Sequence, residues 1–207
     1  PPRQAFGIGA QFTNGIRAFL YSPQSLLGAI YIGLAFCVLI AFVTLSSEVF
    51  IRHFDLGEFG YALIFSLASV GYMCGGLICR RAISNMSAFR LSQMIVIAFF
   101  LVAVLALLTL PISSVYPIIL AVIMLGAFMC IGAMLSTAAT LTLAALPQTA
   151  GMASGIMGSF QILLGGAFSV SLSLIPVASL TLLHMAVFGC GTLMTVIAFA
   201  SRRLATI

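Results

Sequence analysis

Charge is what this chain has least of. Only 5% of its 207 residues are charged, against about 25% in soluble domains. Glu48, Asp55 and Glu58 are the only acids, lysine and tryptophan are missing, and every base is an arginine. So few polar groups cannot clothe a water-soluble fold. The net charge of +5 does not point to nucleic acid either. The arginines are sparse and stand at the ends of apolar runs, which suits membrane orientation better than phosphate binding. Cys37, Cys74, Cys79, Cys130 and Cys190 have no CxxC or Cys/His spacing, so they read as small apolar packing residues and not as disulfides or metal ligands. Zinc-protease and nucleotide-binding motifs are missing, and no cofactor or metal is implied. The opening "PPRQAFGIGA" has no signal-peptide pattern and no Met. Either a longer protein continues upstream or the N-terminus has been trimmed.

What is present is apolar: 63% of the residues are hydrophobic. A bilayer core takes about 20 apolar residues of helix. Charge-free runs of that length occupy 26–45, 61–79, 91–110 (stopped by Pro111), part of 116–145, 151–175 and 177–200, with Pro176 at the last turn. Helices satisfy their own backbone in lipid, so the expected fold is all-α, with six transmembrane helices. Residues 4–22 are too polar and Gly-rich to span. They read either as a linker or as a short interfacial helix ending near Arg17. This divides the chain into a linker, 1–24, and a six-helix bundle, 25–207.

Arg3, Arg17, Arg80, Arg81, Arg90, Arg202 and Arg203 all fall on one side of such a bundle. The other side has Arg52 and all three acids. The excess of bases puts both termini in the cytoplasm. The sequon Asn85-Met86-Ser87 then lies in a cytoplasmic loop and carries no glycan.

The two triplets of helices echo each other. The middle helix of the first holds "GYMCGG" (Gly71, Gly75, Gly76), and that of the second "GMASGIMG" (Gly151, Gly155, Gly158). The third helix of each triplet is greasier, as a lipid-facing helix should be. Because the second triplet starts on the opposite side, the pattern is that of an inverted repeat, common in secondary transporters. Glycine costs about 1 kcal/mol against alanine within a helix, so the five glycines of "AGMASGIMGSFQILLGG" need an offsetting gain. Gly151, Gly155 and Ser159 form one ridge of small residues, with Ala150, Ser154 and Gly158 beside it. Such ridges let membrane helices approach closely. With Gly71 and Gly75 they mark expected helix-packing surfaces, and the α-helix bearing Gly151 is expected to face a partner.

The run "GAMLSTAATLTLAALPQTAGMASGIMGSFQILLGG" (132–166) resembles the junction of helices ten and eleven in the major facilitator superfamily. Within it the likeness is to the bicyclomycin/chloramphenicol-resistance type of drug:proton antiporter. Gly132, Pro147, the Ala150-Gly151 and Ala153-Ser154 pairs, Gly158 and Gln161 carry it. "FVTLSSEVFIRHFDLGEFGYALIF" is similar to that family's seventh helix and following loop, through Ser46, Val49, Phe50, Phe54, Leu56 and Phe59-Gly60. There are departures: Ser47-Glu48 follows Ser46 where the family has a proline and an aromatic, and Thr137 replaces an asparagine. "GGLICRRAISNMSAFR" only faintly echoes the family's loop signature.

The resemblance implies helices seven to twelve of a twelve-helix carrier, in the inner membrane of a bacterium. It implies export of small amphipathic compounds in exchange for protons by alternating access. The partners would be such substrates, protons, the lipid bilayer and the missing N-terminal six-helix half; nucleic acid is not among them, and no reaction is catalysed. Tyr31, Phe36, Phe42 and Ser46 on the first span, Phe128, Met129 and Ser136 on the fourth, and Gln161 on the fifth become cavity candidates. Core packing accounts for the first seven equally well, and a helix-bridging role for Gln161. Glu48 is either a proton-coupling carboxylate or half of an interfacial ion pair with Arg52. Asp55 and Glu58 are expected to cap and polarise the start of the second span, and His184 to be a packing residue.

Two other readings stand beside this one. A six-helix intramembrane serine protease would use Ser154 and His184. However, Met152 replaces the expected glycine, the serine is on the fifth span instead of the fourth, and nothing arranges nucleophile and base together. A non-transporting six-helix subunit would use its small-residue faces to bind a partner.

Overall fold

Proline and serine set where the helices begin. Ser22 accepts the Ser25 N–H at 3.3 Å, and Pro23, whose missing N–H costs nothing there, opens the first long helix. Pro117 opens another in the same way, and Ser87 accepts the Arg90 N–H at 3.4 Å to start a third. The computed structural model describes residues 8–177 and 179–204, with side chains for 13–177 and 179–201. Arg3, used above to orient the chain, lies outside the described residues, as do the side chains of Arg202 and Arg203.

The helices are α1 (Ile8–Tyr21), α2 (Pro23–Ser47), α3 (Gly57–Ile83), α4 (Ala88–Leu108), the single turn α5 (Leu110–Ser113), α6 (Pro117–Ala145), α7 (Ala150–Ser173) and α8 (Ser179–Leu204). Six of them, α2, α3, α4, α6, α7 and α8, are long and apolar enough to cross a membrane. The first outruns its expected end at Leu45. It continues beyond Ser47 as a π-helical stretch, Glu48–His53, closed by the Phe54 N–H on the Val49 carbonyl at 3.1 Å. The third stops earlier than expected, because Pro111 has no N–H with which to prolong it; Thr109 ends α4 and α5 follows.

At the centre α2 and α6 run antiparallel. Gly28, near the start of α2, lies against Ala138 and Thr142 near the end of α6, while Phe42 and Phe128 stack edge-on at 4.8 Å toward the other end. Each central helix has a parallel neighbour, α7 on α2 and α3 on α6. The pair α4 and α8 closes the bundle, each touching the other and one central helix. Exchanging α2, α3, α4 for α6, α7, α8 maps every one of these packed pairs onto another packed pair or onto itself.

Glycine sets the depth of both parallel contacts. On α3, a Cβ at Gly75 would run into the Met129 carbonyl, and on α6 one at Gly132 would run into the Tyr72 carbonyl. Backbones touch there only because neither residue has a side chain. On the α2–α7 side, Gly33 sits under Phe160 and Leu164, and Gly165 under Phe36. Between these contacts lies a dry core in which Tyr31, Phe42, Phe50, Phe99, Met124 and Leu183 are fully buried.

The two parallel helices are the least covered of the six. In their most apolar windows α3 and α7 have 22% and 17% of residues buried, against 67% for α2 and 50% for α6. The third helices α4 and α8, expected to face lipid, are instead more covered, 44% and 50%, because each also packs inward on the other. The amphipathic α1 lies against α7 and α2, with Phe19 buried and Gly15 against Met152. It ends at Tyr21, one turn beyond the expected Arg17, whose guanidinium stands 5.6 Å from the Tyr21 ring centre. A chain of six long apolar helices packed around one such core is a multi-span α-helical membrane protein.

Candidate functional site

Two places in the bundle offer polar chemistry. One is halfway along α7. Ala153, Met157, Gly165 and Leu172 form the buried stripe of that helix, and Gln161 falls on it, one turn from Met157 and one from Gly165. Gln161 is half-buried. Its amide oxygen is buried without a hydrogen-bond partner among the described residues. Leaving a buried acceptor unmet costs about 1–3 kcal/mol, and the described residues supply this oxygen with no donor.

The ridge of small residues lies round the helix from that stripe. Gly151, Ser154, Gly155 and Ser159 are exposed and Gly158 is half-buried. A Cβ at Gly151, Gly155 or Gly158 would meet nothing within 4 Å. Among the described residues nothing packs on these three glycines, whereas Gly71 and Gly75 are buried against α6.

The other cavity candidates are spread through the bundle. Tyr31 is buried and accepts from Gln93 Nε2 at 3.2 Å. Phe42 and Phe128 are core rings, and Ser46 shares a 3.2 Å hydrogen bond with the Tyr61 hydroxyl. Phe36 is half-buried over Gly165. Met129 and Ser136 are half-buried on α6, and the Ser136 hydroxyl donates to the Gly132 carbonyl at 3.1 Å. Of the eight, only Gln161 has a side-chain oxygen left over.

The second polar place is the end of the bundle where α2 turns π-helical. There Glu48, Val49, Arg52 and His53 face Ser179, Leu180 and Thr181 across a cleft of about 440 Å³. Glu48 is exposed at this rim, away from mid-height. The Ser179 hydroxyl donates to its carboxylate at 2.5 Å. That contact takes the place of the expected ion pair: no salt bridge joins Glu48 to Arg52 among the described residues. His53 Nε2 donates to the Ser114 carbonyl at 3.2 Å. Sequence reasoning missed Ser179 and Thr181, because nothing in their local pattern sets them opposite residue 48.

Nearby, the capping expected of Asp55 is not made. Leu56 is the N-cap of α3, with no side-chain cap bond. Asp55 instead takes a left-handed conformation, φ 52°, followed by Gly57 at φ 66°, because the chain must reverse tightly between α2 and α3; aspartate tolerates that region better than most residues. Glu58 does lie in the first turn of α3.

His184 is fully buried. Its Nδ1 donates to the Leu180 carbonyl at 2.8 Å, and Nε2 meets the Ser113 hydroxyl at 3.2 Å. Ser154 sits at the opposite end of the bundle, its hydroxyl on the Gly151 carbonyl. At 1.5 Å per helical residue the two are about 20 Å apart along the bundle. A nucleophile–base pair needs hydrogen-bond reach, and the fold does not bring Ser154 and His184 together. Among the described residues no three His, Cys, Asp or Glu side chains converge to hold a metal.

No protein-family model matches the chain, and no curated protein sequence matches it.

Proposed function

We propose that these six helices are one half of a twelve-helix secondary transporter of the major facilitator type, working by alternating access in a cell membrane. The observation that carries the reading is the amide oxygen of Gln161, a buried acceptor at mid-height of the bundle with no donor among the described residues. Secondary transporters bind substrate near the midplane, at the interface between repeats. Three further features support it. The packed helix pairs exchange under the swap of triplets, as an inverted repeat requires. The glycine-bearing face of α7 is open, as a surface that meets a second half must be. The resemblance of 132–166 to the tenth and eleventh helices of drug:proton antiporters supplies the transport mode.

In this reading the substrate is a small amphipathic compound exported against protons. The chain acts without a cofactor and does no chemistry on its cargo. The exposed bases Arg17, Arg80, Arg81 and Arg90 mark the cytoplasmic end, and the acids the outer one. Glu48, at the outer rim, is the carboxylate available for proton coupling in this half. A purely structural subunit would use the open α7 face equally well, but has no use for an unmet acceptor inside.

Transport in sealed vesicles tests the proposal. The 207-residue chain, alone or paired with a complementary six-helix half, is reconstituted and a proton gradient imposed. Efflux of a fluorescent amphipathic cation is expected only from the paired protein. Gradient-driven efflux by the chain alone, or none by the pair, overturns it.

A further inference from the structure

The cleft at the π-helical end of α2 has features that helix packing leaves unused, and the transport reading draws on Glu48 alone among them. Its floor is apolar, made by the buried Val49 and Leu180. Its α2 wall carries charges of both signs, Glu48 and Arg52, with the His53 ring beside them and the Thr181 hydroxyl opposite. Glu48 spends one oxygen on Ser179, and a carboxylate has lone pairs to spare. Arg52 is exposed and has neither an ion-pair nor a hydrogen-bond partner among the described residues. The π-helical turn that presents these residues is a rare form, frequent at functional sites.

We propose that this cleft binds a zwitterion of the phosphoethanolamine type, with its oxyanion on Arg52 and its primary ammonium on Glu48. A guanidinium presents a planar fork of N–H donors that fits a phosphate or carboxylate edge. An ammonium gives point-like donors that a carboxylate accepts. A simple anion would meet repulsion from Glu48, and a simple cation repulsion from Arg52. A molecule carrying both groups a few bonds apart satisfies both side chains, and its methylenes lie on Val49 and Leu180. The volume of about 440 Å³ suits a ligand of headgroup size. The cleft lies where α2 and α8 leave their apolar spans, so the same chemistry can arrive as a free solute or as an aminophospholipid headgroup.

Equilibrium binding of radiolabelled phosphoethanolamine to the purified full chain in detergent tests this. Competitors are inorganic phosphate, ethanolamine, and micellar phosphatidylethanolamine or phosphatidylglycerol. Saturable binding is expected, with phosphate and ethanolamine each competing at least tenfold less well. Arg52→Gln should lower affinity tenfold or more. Glu48→Gln should instead remove the preference, so that phosphate competes as well as phosphoethanolamine. Competition by phosphatidylethanolamine, but not phosphatidylglycerol, at lower concentration than the free solute identifies the lipid as the source; the reverse order identifies the solute. Helix content and gel-filtration profiles identical to the wild type establish that both variants fold, and Ser179→Ala provides a third, milder change. Absence of saturable binding, phosphate binding the wild type as tightly as phosphoethanolamine, or unchanged selectivity in Glu48→Gln overturns the proposal.

Discussion

Gly75 of α3 and Gly132 of α6 let their helices touch backbone to backbone, each lying against a carbonyl of the other helix, Met129 and Tyr72 respectively. Methyl groups fit at neither position. Gly75→Ala therefore has to push the two helices apart. Overpacking of this kind costs about 1–3 kcal/mol, to be read as a lowered midpoint of thermal unfolding in detergent. An unchanged midpoint would mean that α3 and α6 do not cross here.

Gly155 makes the opposite case. A Cβ there meets nothing within 4 Å among the described residues, so Gly155→Leu is expected to leave the unfolding midpoint of the 207-residue chain unchanged or slightly raised, since glycine is the poorer helix former by up to about 1 kcal/mol. In the paired twelve-helix protein the same substitution should abolish efflux, because a leucine on a close helix contact forces the halves apart. Efflux at the wild-type rate in the paired variant would free α7 from any such role.

Gln161→Leu separates binding from packing. It removes a buried oxygen that has no partner among the described residues, so stability is expected to hold or to rise by about 1 kcal/mol. Substrate affinity of the paired protein is expected to fall tenfold or more. A loss of stability with affinity unchanged would mark Gln161 as a helix bridge.

His184 and Ser113 hold α8 to the turn after α4 through their 3.2 Å hydrogen bond. Ser113→Ala leaves Nε2 buried and unmet, which is expected to cost about 1–3 kcal/mol in the thermal midpoint. The pH profile of transport should not move. A shifted profile would make His184 part of the proton path.

The six spans were legible because lipid demands long charge-free helices, and runs such as 61–79 and 151–175 have no other use. Helix ends were harder to read. The π-helical continuation from Glu48 to His53 packs on α3 and α8, and a single sequence has no signal for that packing. The same is true of Ser179, which reaches Glu48 across 131 positions of chain. The glycines of α3 and α7 looked alike in sequence, yet Gly75 is spent inside the bundle and Gly155 is left open. Composition marks a surface as suited to close approach, but only packing decides which surface is already taken. For Gln161, sequence supplied the residue and the fold supplied its unmet oxygen.

The central claim is that the open face of α7 is a seam for a second six-helix half. Site-resolved labelling tests it most directly. A lipid-soluble maleimide is applied to Gly155→Cys in the chain alone and in the paired protein, with modification at residue 155 read by peptide mass spectrometry. Leu193→Cys, on the exposed face of α8, serves as the reference. Residue 155 is expected to react in the chain alone and to be protected in the pair, while residue 193 reacts in both. Equal labelling of residue 155 in the two contradicts the account.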